Sequence, residues 1–521
     1  MIMAQENALL KAKEEFQKIE EAIRDATIQG KRIDVVEENL WDHMLNLGRM
    51  LLTSFVAGQG TGDLGPTLEY EGRIFRRLEQ LHAKRYMSVF GALSPIERTV
   101  YGTRETQKHE VIPLDARLGL PESDYSYLLQ QWSQSFCVKD SYKDARTDLE
   151  QILRLRPSIR VLEDMNGSMA KDVEGFRSSQ PTPSHDQEGE ILVVTGDCKG
   201  VRIRGDKPPE EEEDANNHGK PPQQDASNHA RKRGPRPGTK REACVGSVYS
   251  IDRFVRTTED VVDDVIRKQR AQDRPIPQNK VLRAELTHEI DGVEINGKDV
   301  IFEWFGEQIE ARQTSPSQEI VCVMDGAPTL WKKLQALMKR FGVTIVCILD
   351  IFHGMDYLWD AARCVHGSND KAAEAFVTDR LRRILNGDVG RVIGGLRQML
   401  EKDKKKDRER RQFNSSKRKT LNKVIGYFER KKKFMRYDEY LAKGYPIGSG
   451  VVEGACGHLV KDRMEGSGMR WRVPGAQSML DLRCVYLNED WKDFHDYRIE
   501  ERVRNMYPYR DLVQQEYKAT G

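Results

Sequence analysis

Two apolar runs in this chain end on an aspartate, and a third acidic residue follows far downstream. Asp197 follows the run 191–196, Asp325 follows 320–324, and Glu453 lies in Gly448-Ser-Gly-Val-Val-Glu. Because short apolar runs are typical of buried strands, both aspartates are predicted to close strands at the edge of a sheet. Carboxylates that converge in a partly buried place repel one another unless a cation compensates them. The pattern therefore requires a fold in which distant strands meet, and it predicts a magnesium site.

The order of the surrounding elements narrows the fold further. Residues 190–204 are predicted as a β-hairpin and 242–251 as a third strand; 301–312 and 331–341 are predicted as helices, each ahead of one further strand. This is the order of an RNase H-like fold, a mixed five-strand sheet flanked by helices. Only helical patterns occur between 351 and 443. The predicted class is multidomain α + α/β, with a catalytic core interrupted by an all-helical insertion.

The N-terminal region is predicted to be helical and to bind DNA. Apolar residues at helical spacing mark 5–28 and 34–57, and three more helices are expected between 122 and 176. Ser141 and Ser158 are predicted N-caps of two of them. Three such helices fit a helix-turn-helix or a plain three-helix bundle.

The predicted domains are 1–60 (helices, a candidate oligomerisation element), 61–120 (small and mixed), 121–180 (helix-turn-helix-like), 188–350 (core, with a disordered insertion at 205–240), 351–443 (basic insertion), 444–490 (core with Glu453) and 491–521 (a C-terminal tail).

Charge is high but balanced over the whole chain and concentrated locally. Charged residues make up 32% of the 521 residues with a net charge of only +2, yet 402–436 holds 16 Lys and Arg against 4 Asp and Glu. Such a run is a solvated face or a nucleic-acid contact, and its one-sided density favours nucleic acid.

The chain is predicted to be cytoplasmic and to lack a zinc site. It has eight cysteines without a C-x-x-C pair, no signal peptide, and no apolar run long enough for a membrane helix.

The three acids predict a two-metal phosphoryl-transfer site. Asp197 would bridge two Mg²⁺ ions, which Asp325 and Glu453 would hold individually, with Mn²⁺ as an alternative. His353 is predicted either as a structural histidine or as a group that orients a phosphate or a water molecule. Predicted DNA contacts come from the core, the polar insertion, the basic run and the segment after Glu453. They are Lys199, Arg231, Lys232, Arg233, Lys404, Lys405, Lys406, Arg410, Lys417, Arg418, Lys419, Lys431, Lys432, Lys433, His458, Lys461, Arg463, Arg470 and Trp471.

With these residues in view, the chain resembles the DDE transposases of bacterial insertion sequences, closest to the ISKra family and more distantly the Mutator-like group. The resemblance covers roughly 190–490, and its last two segments are the most specific. The matching segments are Val193-Val-Thr-Gly-Asp-Cys-Lys-Gly-Val, Ala243-Cys-Val-Gly-Ser-Val-Tyr, Val323-Met-Asp-Gly-Ala-Pro-Thr-Leu-Trp, Leu349-Asp-Ile-Phe-His-Gly, Gly444-Tyr-Pro-Ile-Gly-Ser-Gly-Val-Val-Glu-Gly-Ala, Leu459-Val-Lys-Asp-Arg-Met and Gly468-Met-Arg-Trp.

The resemblance implies DNA transposition, in which terminal inverted repeats are bound, cut and joined to target DNA. It places Asp197, Asp325 and Glu453 on the three acids of the family and His353 on the histidine of Mutator-like enzymes. It also implies assembly as a homodimer or higher oligomer on double-stranded DNA. Two features depart from the family: Val100-Tyr-Gly-Thr-Arg lacks the cysteine pairs of relatives, and the polar insertion at 207–239 is longer. The alternatives are a structure-specific nuclease that cuts without joining and a non-catalytic DNA-binding regulator derived from a transposase.

Overall fold

The chain folds into two compact units. The computed structural model describes residues 2–103, 110–204, 240–269, 273–290, 293–405, 412–466 and 469–520. One unit is formed by Met1–Ser179 together with Glu489–Gly521, and the other by Gln180–Asn488. The insertion predicted at 205–240 lies outside the described residues except for its last residue, as do Arg231, Lys232, Arg233, Lys406 and Arg410.

The first unit begins with two long helices and a set of short strands. The helices, predicted at 5–28 and 34–57, are confirmed as α1 (Ile2–Gln29) and α2 (Ile33–Ala57). The strands are β1 (Thr67–Tyr70), β2 (Arg73–Arg77), β3 (His82–Lys84), β4 (Met87–Ser88), β5 (Gly91–Ala92), β6 (Ile96–Arg98), β7 (Tyr101–Gly102) and β8 (Glu110–Val111). β1, β2, β7 and β8 form one sheet, whereas β3 pairs with β6 and β4 with β5.

The helices that follow match the predicted pattern between 122 and 176. They are α3 (Pro113–Leu118), α4 (Tyr127–Cys137), α5 (Tyr142–Leu153), α6 (Ile159–Ala170) and α7 (Val173–Ser179). Both predicted caps are confirmed, because Ser141 Oγ accepts the N–H of Asp144 and Ser158 Oγ accepts the N–H of Val161, each at 3.2 Å. Acidic residues outnumber basic ones on α5 and α6, which is unfavourable for insertion into a DNA groove. The helix-turn-helix function stays a prediction.

The second unit is built on a mixed five-strand sheet with helices on both faces. Its strands are β9 (Ile191–Arg202), β10 (Lys240–Ile251), β11 (Gln278–Leu286), β14 (Glu319–Met324) and β15 (Ile345–Leu349), with a separate pair β12 (His288–Ile290) and β13 (Val293–Ile295). The order across the sheet is β11-β10-β9-β14-β15, antiparallel among the first three and parallel among the last three. The predicted five-strand mixed sheet is therefore confirmed.

Helices connect these strands and continue beyond them. They are α8 (Thr258–Val265), α9 (Gly297–Arg312), α10 (Pro328–Phe341), α11 (Ile351–His366), α12 (Asp370–Leu385), α13 (Val389–Lys404), α14 (Ser415–Lys431), α15 (Tyr437–Ala442), α16 (Gly450–Cys456), α17 (Asp462–Met464) and α18 (Val473–Leu487). A 3-10 turn (Lys432–Phe434) follows α14 and a π-helical turn (Gly457–Lys461) follows α16. No helix within the described ranges is both long and apolar enough to cross a membrane.

Alternation along the central strands divides the core into two layers. Ile191 and Val193 of β9 pack with α8 and α11–α15, whereas Leu192 and Val194 pack with α9 and α10. Successive strand residues point to opposite faces, so a sheet covered on both sides needs an uninterrupted apolar run. This requirement explains why these strands appear in the sequence as continuous apolar runs rather than as alternating apolar and polar residues.

Two details of the predicted sheet were wrong. Residues 190–204 do not form a hairpin, because Ile191–Arg202 is a single strand paired along its whole length with β10. The strand Gln278–Leu286, which the sequence pattern did not reveal, is the third strand. The insertion therefore joins the first and second strands, not the second and third.

The C-terminal residues form two helices of the first unit, so the predicted tail at 491–521 was wrong. Helix α19 (Trp491–Met506) packs Phe494 against Phe176, with 5.5 Å between ring centroids. Arg498 Nε donates to Asp172 Oδ2 at 3.1 Å. Helix α20 (Arg510–Thr520) follows. These contacts return the end of the chain to the unit with which it began.

His495 of α19 is a buried group whose protonation opposes folding. Its side chain is 1% exposed, and neither ring nitrogen has a hydrogen-bond partner among the described residues. Burial, followed by the positive charge of Arg498, lowers the pKa of His495 to about 3. The unfolded chain therefore binds a proton below about pH 6.5 that the folded chain rejects, and stability is lost as the pH falls.

We expect His495→Phe to make unfolding less sensitive to acid. The wild type should lose about 3 kcal/mol of unfolding free energy between pH 7 and pH 4 through this residue alone, and the variant should not lose that part. Urea unfolding followed by circular dichroism at both pH values measures the difference. Parallel losses in the two proteins would contradict the assignment.

Candidate active site

Asp197 and Asp325 come from the neighbouring strands β9 and β14. Parallel pairing of these strands reaches Val194, and Thr195 Oγ1 then donates to Val323 O at 2.7 Å. Because β14 ends one residue before Asp325 while β9 continues, the two carboxylates emerge side by side. Asp197 lies inside β9 rather than at its end, so the prediction that it closes a strand was wrong. The prediction that Asp325 follows a strand end is confirmed.

The turn after β14 holds Asp325 in one orientation. Asp325 Oδ1 accepts the N–H of Ala327 at 2.8 Å, and Tyr427 Oη donates to the backbone oxygen of Asp325 at 2.9 Å. Gly326 has φ of +89°, and a Cβ there would lie 2.9 Å from Tyr427 Oη. A side chain at Gly326 is therefore excluded both by backbone conformation and by the approach of α14.

Glu453 lies in the first turn of α16, close to Ser449. Ser449 occupies the N-cap position without capping a backbone N–H. Its hydroxyl donates instead to Glu453 Oε1 at 3.0 Å. Gly448 permits the close approach of this segment, because a Cβ there would lie 2.6 Å from the Phe352 ring. The serine therefore orients the acid directly.

Asp350 is a fourth acid at this edge, and the sequence reasoning did not assign it a role. It follows β15 and is fully buried. Its carboxylate accepts three backbone N–H groups, from Phe352 at 3.2 Å, His353 at 3.3 Å and Ser449 at 3.1 Å. Asp350 thus joins the start of α11 to the loop before α16. The available signal was its place after the apolar run 345–349, the same place that Asp325 has after its own run.

The electrostatics show that these acids share one environment. Burial raises the pKa of Asp197, and the negative charge of Asp325 adds to the rise. Burial of one side of Glu453, then a hydrogen bond with Asp350 and the charge of that group, raise the pKa of Glu453 to about 7. The other side of Glu453 is open to solvent. Negative charge is therefore concentrated here beyond what the surrounding donors neutralise.

A thiol and a buried arginine complete the setting of α16. Cys456, one turn after Glu453, hydrogen-bonds Asp197, whose charge together with burial raises the pKa of the thiol. Past it, Arg483 Nε donates to Leu459 O at 2.9 Å and Nη2 donates to His458 O. These bonds occupy carbonyls of the π-helical turn. Turns of this kind are common at functional sites. The Cys456 contact is one that sequence reasoning missed, since an isolated cysteine carries no pattern.

His353 and Lys431 lie on the helices beside Asp325. The half-buried His353 ring meets the edges of Tyr357 and Tyr427, at 5.5 and 5.8 Å between centroids. Those two tyrosines stack on each other at 3.9 Å. Lys431 is 9% exposed, and its pKa is lowered by burial and raised in part by the charge of Asp325, with a net lowering. A buried cation therefore lies near the second acid.

The donor chemistry of the site fits a hard divalent cation. Carboxylate oxygens are the ligands that Mg²⁺ prefers, and the raised pKa values of Asp197 and Glu453 reflect charge that a cation would relieve. Within the described ranges, no three Asp, Glu, His or Cys side chains are already arranged to hold a metal ion. Glu453 is turned toward Ser449 and Asp350.

The predicted DNA-binding residues divide into exposed and buried groups. Lys199 and Lys417 are half-buried. The exposed ones are Lys404, Lys405, Lys419, Lys432, Lys433, His458, Lys461 and Arg470. Two of these have acidic neighbours, since Lys404 pairs with Glu401 at 2.7 Å and His458 with Asp462 at 3.0 Å. These residues have the accessibility that phosphate contact requires.

Four other predicted contacts have side chains that pack within the fold, and the three buried ones correct the prediction. Trp471 is buried, with Nε1 donating to Met464 O at 3.2 Å, and Arg463 is buried with its guanidinium 5.0 Å from the Trp471 ring centroid. Arg418 pairs with the buried Asp403 at 3.1 Å, which joins α14 to α13. Lys431 is buried beside Asp325. Trp471, Arg463 and Lys431 are therefore not presented for direct contact with DNA in this structure, whereas Arg418 keeps 25% of its side chain exposed.

Comparison with known proteins adds no assignment. No family model matches the chain, and no curated protein matches it. Functional inference therefore rests on the residues and geometry of the site.

Asp350→Ala should destabilise the second unit, because it leaves three backbone N–H groups without their acceptor. We expect a loss of about 3 kcal/mol in the free energy of unfolding. Asp350→Asn, which keeps one oxygen acceptor, should lose less. The control is Asp356→Ala, an exposed acid on the same helix, for which little change is expected. Urea unfolding measures all three, and equal stability of Asp350→Ala and the control would contradict the role given to Asp350.

Proposed function

We propose that this chain is a DNA transposase that cuts and joins DNA by a DDE two-metal mechanism. The observation that carries the proposal is the meeting of Asp197, Asp325 and Glu453 at one edge of the sheet, although 128 residues separate each acid from the next. Acids kept together against their repulsion are a recurring mark of metal-dependent phosphoryl transfer. The resemblance of the surrounding segments to ISKra transposases supports the same function.

The fold is consistent with an RNase H-like core. Three antiparallel strands lead into two parallel ones in the order β11-β10-β9-β14-β15, with helices on both faces. In this arrangement the first acid lies on the central strand, the second follows the neighbouring strand, and the third comes from a later helix. We interpret α11–α15 as an all-helical insertion between the last strand and that helix.

Several residues of the chain would position the reacting groups. Asp350 holds the loop before α16, and Ser449 orients Glu453 through its hydroxyl. Cys456 does the same for Asp197. The aromatic pair beside His353 restricts its ring, so that the imidazole can orient a phosphate oxygen or a water molecule. Positioning of this kind supplies much of the rate enhancement in phosphoryl transfer.

Asp197, Asp325 and Glu453 would hold the metal ions. When bound, Mg²⁺ polarises the scissile phosphate and lowers the pKa of a coordinated water molecule. Water as the nucleophile gives strand cleavage and leaves a 3′-hydroxyl. The same site can then direct that hydroxyl at a phosphodiester of target DNA, which exchanges one ester for another and joins the strands.

A basic strip on α14 leads away from Asp325 and fits a DNA backbone. Lys419, Lys423, Tyr427 and Lys431 follow one another at four-residue spacing, so they share one side of the helix. Tyr427 and Lys431 contact the Asp325 turn, whereas Lys419 and Lys423 are exposed. The exposed part of the strip, Lys419 and Lys423, spans about 6 Å along the helix axis, which suits contact with neighbouring phosphates of one strand.

We expect Asp325→Asn and Glu453→Gln to abolish DNA cleavage while leaving DNA binding and folding nearly unchanged. Loss of one acid removes a metal ligand, and the cleavage rate should fall about a thousandfold or more. The substrate is labelled DNA that carries the element's own ends, assayed with and without Mg²⁺. Glu374→Gln, an exposed acid on α12, is the control and should cleave normally.

The products distinguish the proposal from its alternatives. Metal-dependent nicks at the element boundary followed by joined products support a transposase. Nicks that never lead to joined products would indicate a nuclease, and end binding by wild type without cleavage would indicate a regulator. Cleavage that persists in Asp325→Asn would show that this acid is not a metal ligand.

Charge reversal on the basic strip should weaken DNA binding in a salt-dependent way. The double variant Lys419→Glu with Lys423→Glu removes two phosphate contacts, so the slope of log K against log salt should become shallower by about 2. The control pair is Lys339→Glu with Lys371→Glu, on α10 and α12. Fluorescence anisotropy over a salt series measures the slope, and an unchanged slope would remove α14 from the interface.

A further inference from the structure

A cavity in the first unit is lined by residues of α4, α6 and α19. Its volume is about 420 Å³, which lies within the usual range of small-molecule sites. Val161 and Met165 of α6 contribute apolar surface, and Arg498, Arg502 and Met506 come from α19. The three α19 residues recur at four-residue spacing, so they share one side of that helix. The cavity therefore combines apolar walls with two guanidinium groups.

The two guanidinium groups share a single carboxylate. Arg498 Nε donates to Asp172 Oδ2 at 3.1 Å, and Arg502 Nε donates to the same oxygen at 3.0 Å. Arg498 Nη2 donates to Gln130 Oε1 at 3.0 Å, and Arg502 Nη2 to Ser168 O at 3.1 Å, both of them uncharged acceptors. Within the described ranges, Asp172 is the one acid that pairs with either arginine. This group of side chains therefore keeps one positive charge in excess.

Two residues that line the cavity each carry a buried donor without an acceptor. In the part of the chain that the structure describes, Arg498 Nη1 and Tyr127 Oη have no hydrogen-bond partner. The Arg498 side chain is only 3% exposed, and its guanidinium carbon lies 5.6 Å from the centroid of the Tyr127 ring. Buried donors are nearly always paired, because an unpaired one costs folding free energy. An acceptor brought by a ligand would remove that cost at both atoms.

The donors and the excess charge together indicate a carboxylate as that acceptor. A carboxylate has two oxygens, which match the two donors Arg498 Nη1 and Tyr127 Oη. Its single negative charge equals the local excess, and a hydrogen bond from a guanidinium to a carboxylate is among the strong ones. A phosphate monoester carries nearly two negative charges at neutral pH, which is more than the arginines leave uncompensated.

Acidic residues around the cavity disfavour the DNA backbone as its occupant. Glu122 and Asp164 line the cavity and are exposed, and Asp124 lines it while pairing with Arg85 at 2.9 Å. A polyanion would place several phosphates beside these carboxylates, whereas a small monoanion places its one charge beside the arginines. The occupant is therefore a small molecule rather than a nucleic acid.

We propose that this cavity binds a small monocarboxylate with an apolar body. The carboxylate accepts hydrogen bonds from Arg498 Nη1 and Tyr127 Oη, and the apolar body packs on Val161, Met165 and Met506. Because the cavity takes residues from three helices, the occupant stabilises the first unit. The proposal does not rest on the proposed function, because it concerns the first unit alone and needs neither DNA nor metal.

Ligand-observed NMR of the full chain with small carboxylates tests the site. The probes are phenylacetate and hexanoate, an aromatic and an aliphatic monocarboxylate, and at least one should bind saturably with a dissociation constant of about 1 mM. Phenylacetamide keeps the ring but has no charge, so it should bind about tenfold more weakly than phenylacetate. Failure of both carboxylates to saturate at about tenfold that concentration, or equal binding of the amide, would overturn the proposal.

Tyr127→Phe separates a ligand contact from a structural one. The hydroxyl that it removes has no partner, so the free variant should unfold at the same urea concentration as the wild type or a higher one. Its affinity for the bound carboxylate should nevertheless fall about fivefold. The control is Tyr497→Phe, also in the first unit, whose ring packs on Phe176 with 5.7 Å between centroids and does not line the cavity. It should bind as the wild type does.

Val161→Trp fills the cavity and should abolish binding. Circular dichroism checks that its helices remain, and Tyr127→Phe gives an independent result if they do not. Binding of unchanged strength in Tyr127→Phe, or binding that persists in a folded Val161→Trp protein, would exclude this cavity as the site.

Discussion

Repulsion among carboxylates at one edge of the five-strand sheet is the constraint on which the second unit depends. Each acid there has donors close at hand: Asp197 accepts the N–H of Cys198 at 2.7 Å, and Asp325 accepts that of Ala327 at 2.8 Å. Asp350 accepts three backbone N–H groups, and Glu453 accepts the Ser449 hydroxyl. Short-range dipoles thus stabilise the charges without neutralising them. The raised pKa values of Asp197 and Glu453 reflect first their burial and then the negative charges of neighbouring acids.

The helices between β15 and α16 contribute to the same site rather than forming a separate body. Tyr427 of α14 bonds the Asp325 turn and stacks on Tyr357 of α11, while Lys431 brings a buried positive charge to the same place. Gly326 and Gly448 are required because two elements approach the backbone there more closely than a Cβ permits. The basic run is therefore divided by function: its exposed lysines face solvent, whereas Arg418 and Lys431 hold the helices and the site in place.

In the first unit, the helices use more than one side for packing. The contact between α1 and α2 uses small and aliphatic residues together with the buried Glu15. The anchor of α2 on the remainder of the unit uses Gly48 and Trp41. The C-terminal helices return to this unit through Phe494 and Arg498. Its core is therefore assembled from both ends of the chain, which local pattern does not reveal.

Local periodicity in the sequence by itself determined the helices α1, α2, α9 and α10, the caps Ser141 and Ser158, and the strands that precede Asp325 and Asp350. These features depend on residues a few positions apart, whose side chains must alternate or recur to bury one face. Only the tertiary structure decided that Asp197 lies inside a long strand, that β11 is the third strand, and that Asp350 joins the acids. It also placed Trp471, Arg463 and Lys431 in the interior and the last helices in the first unit. Each of these outcomes depends on which distant segments bury one another, because burial and charge are summed over the whole fold and not over a window of the chain.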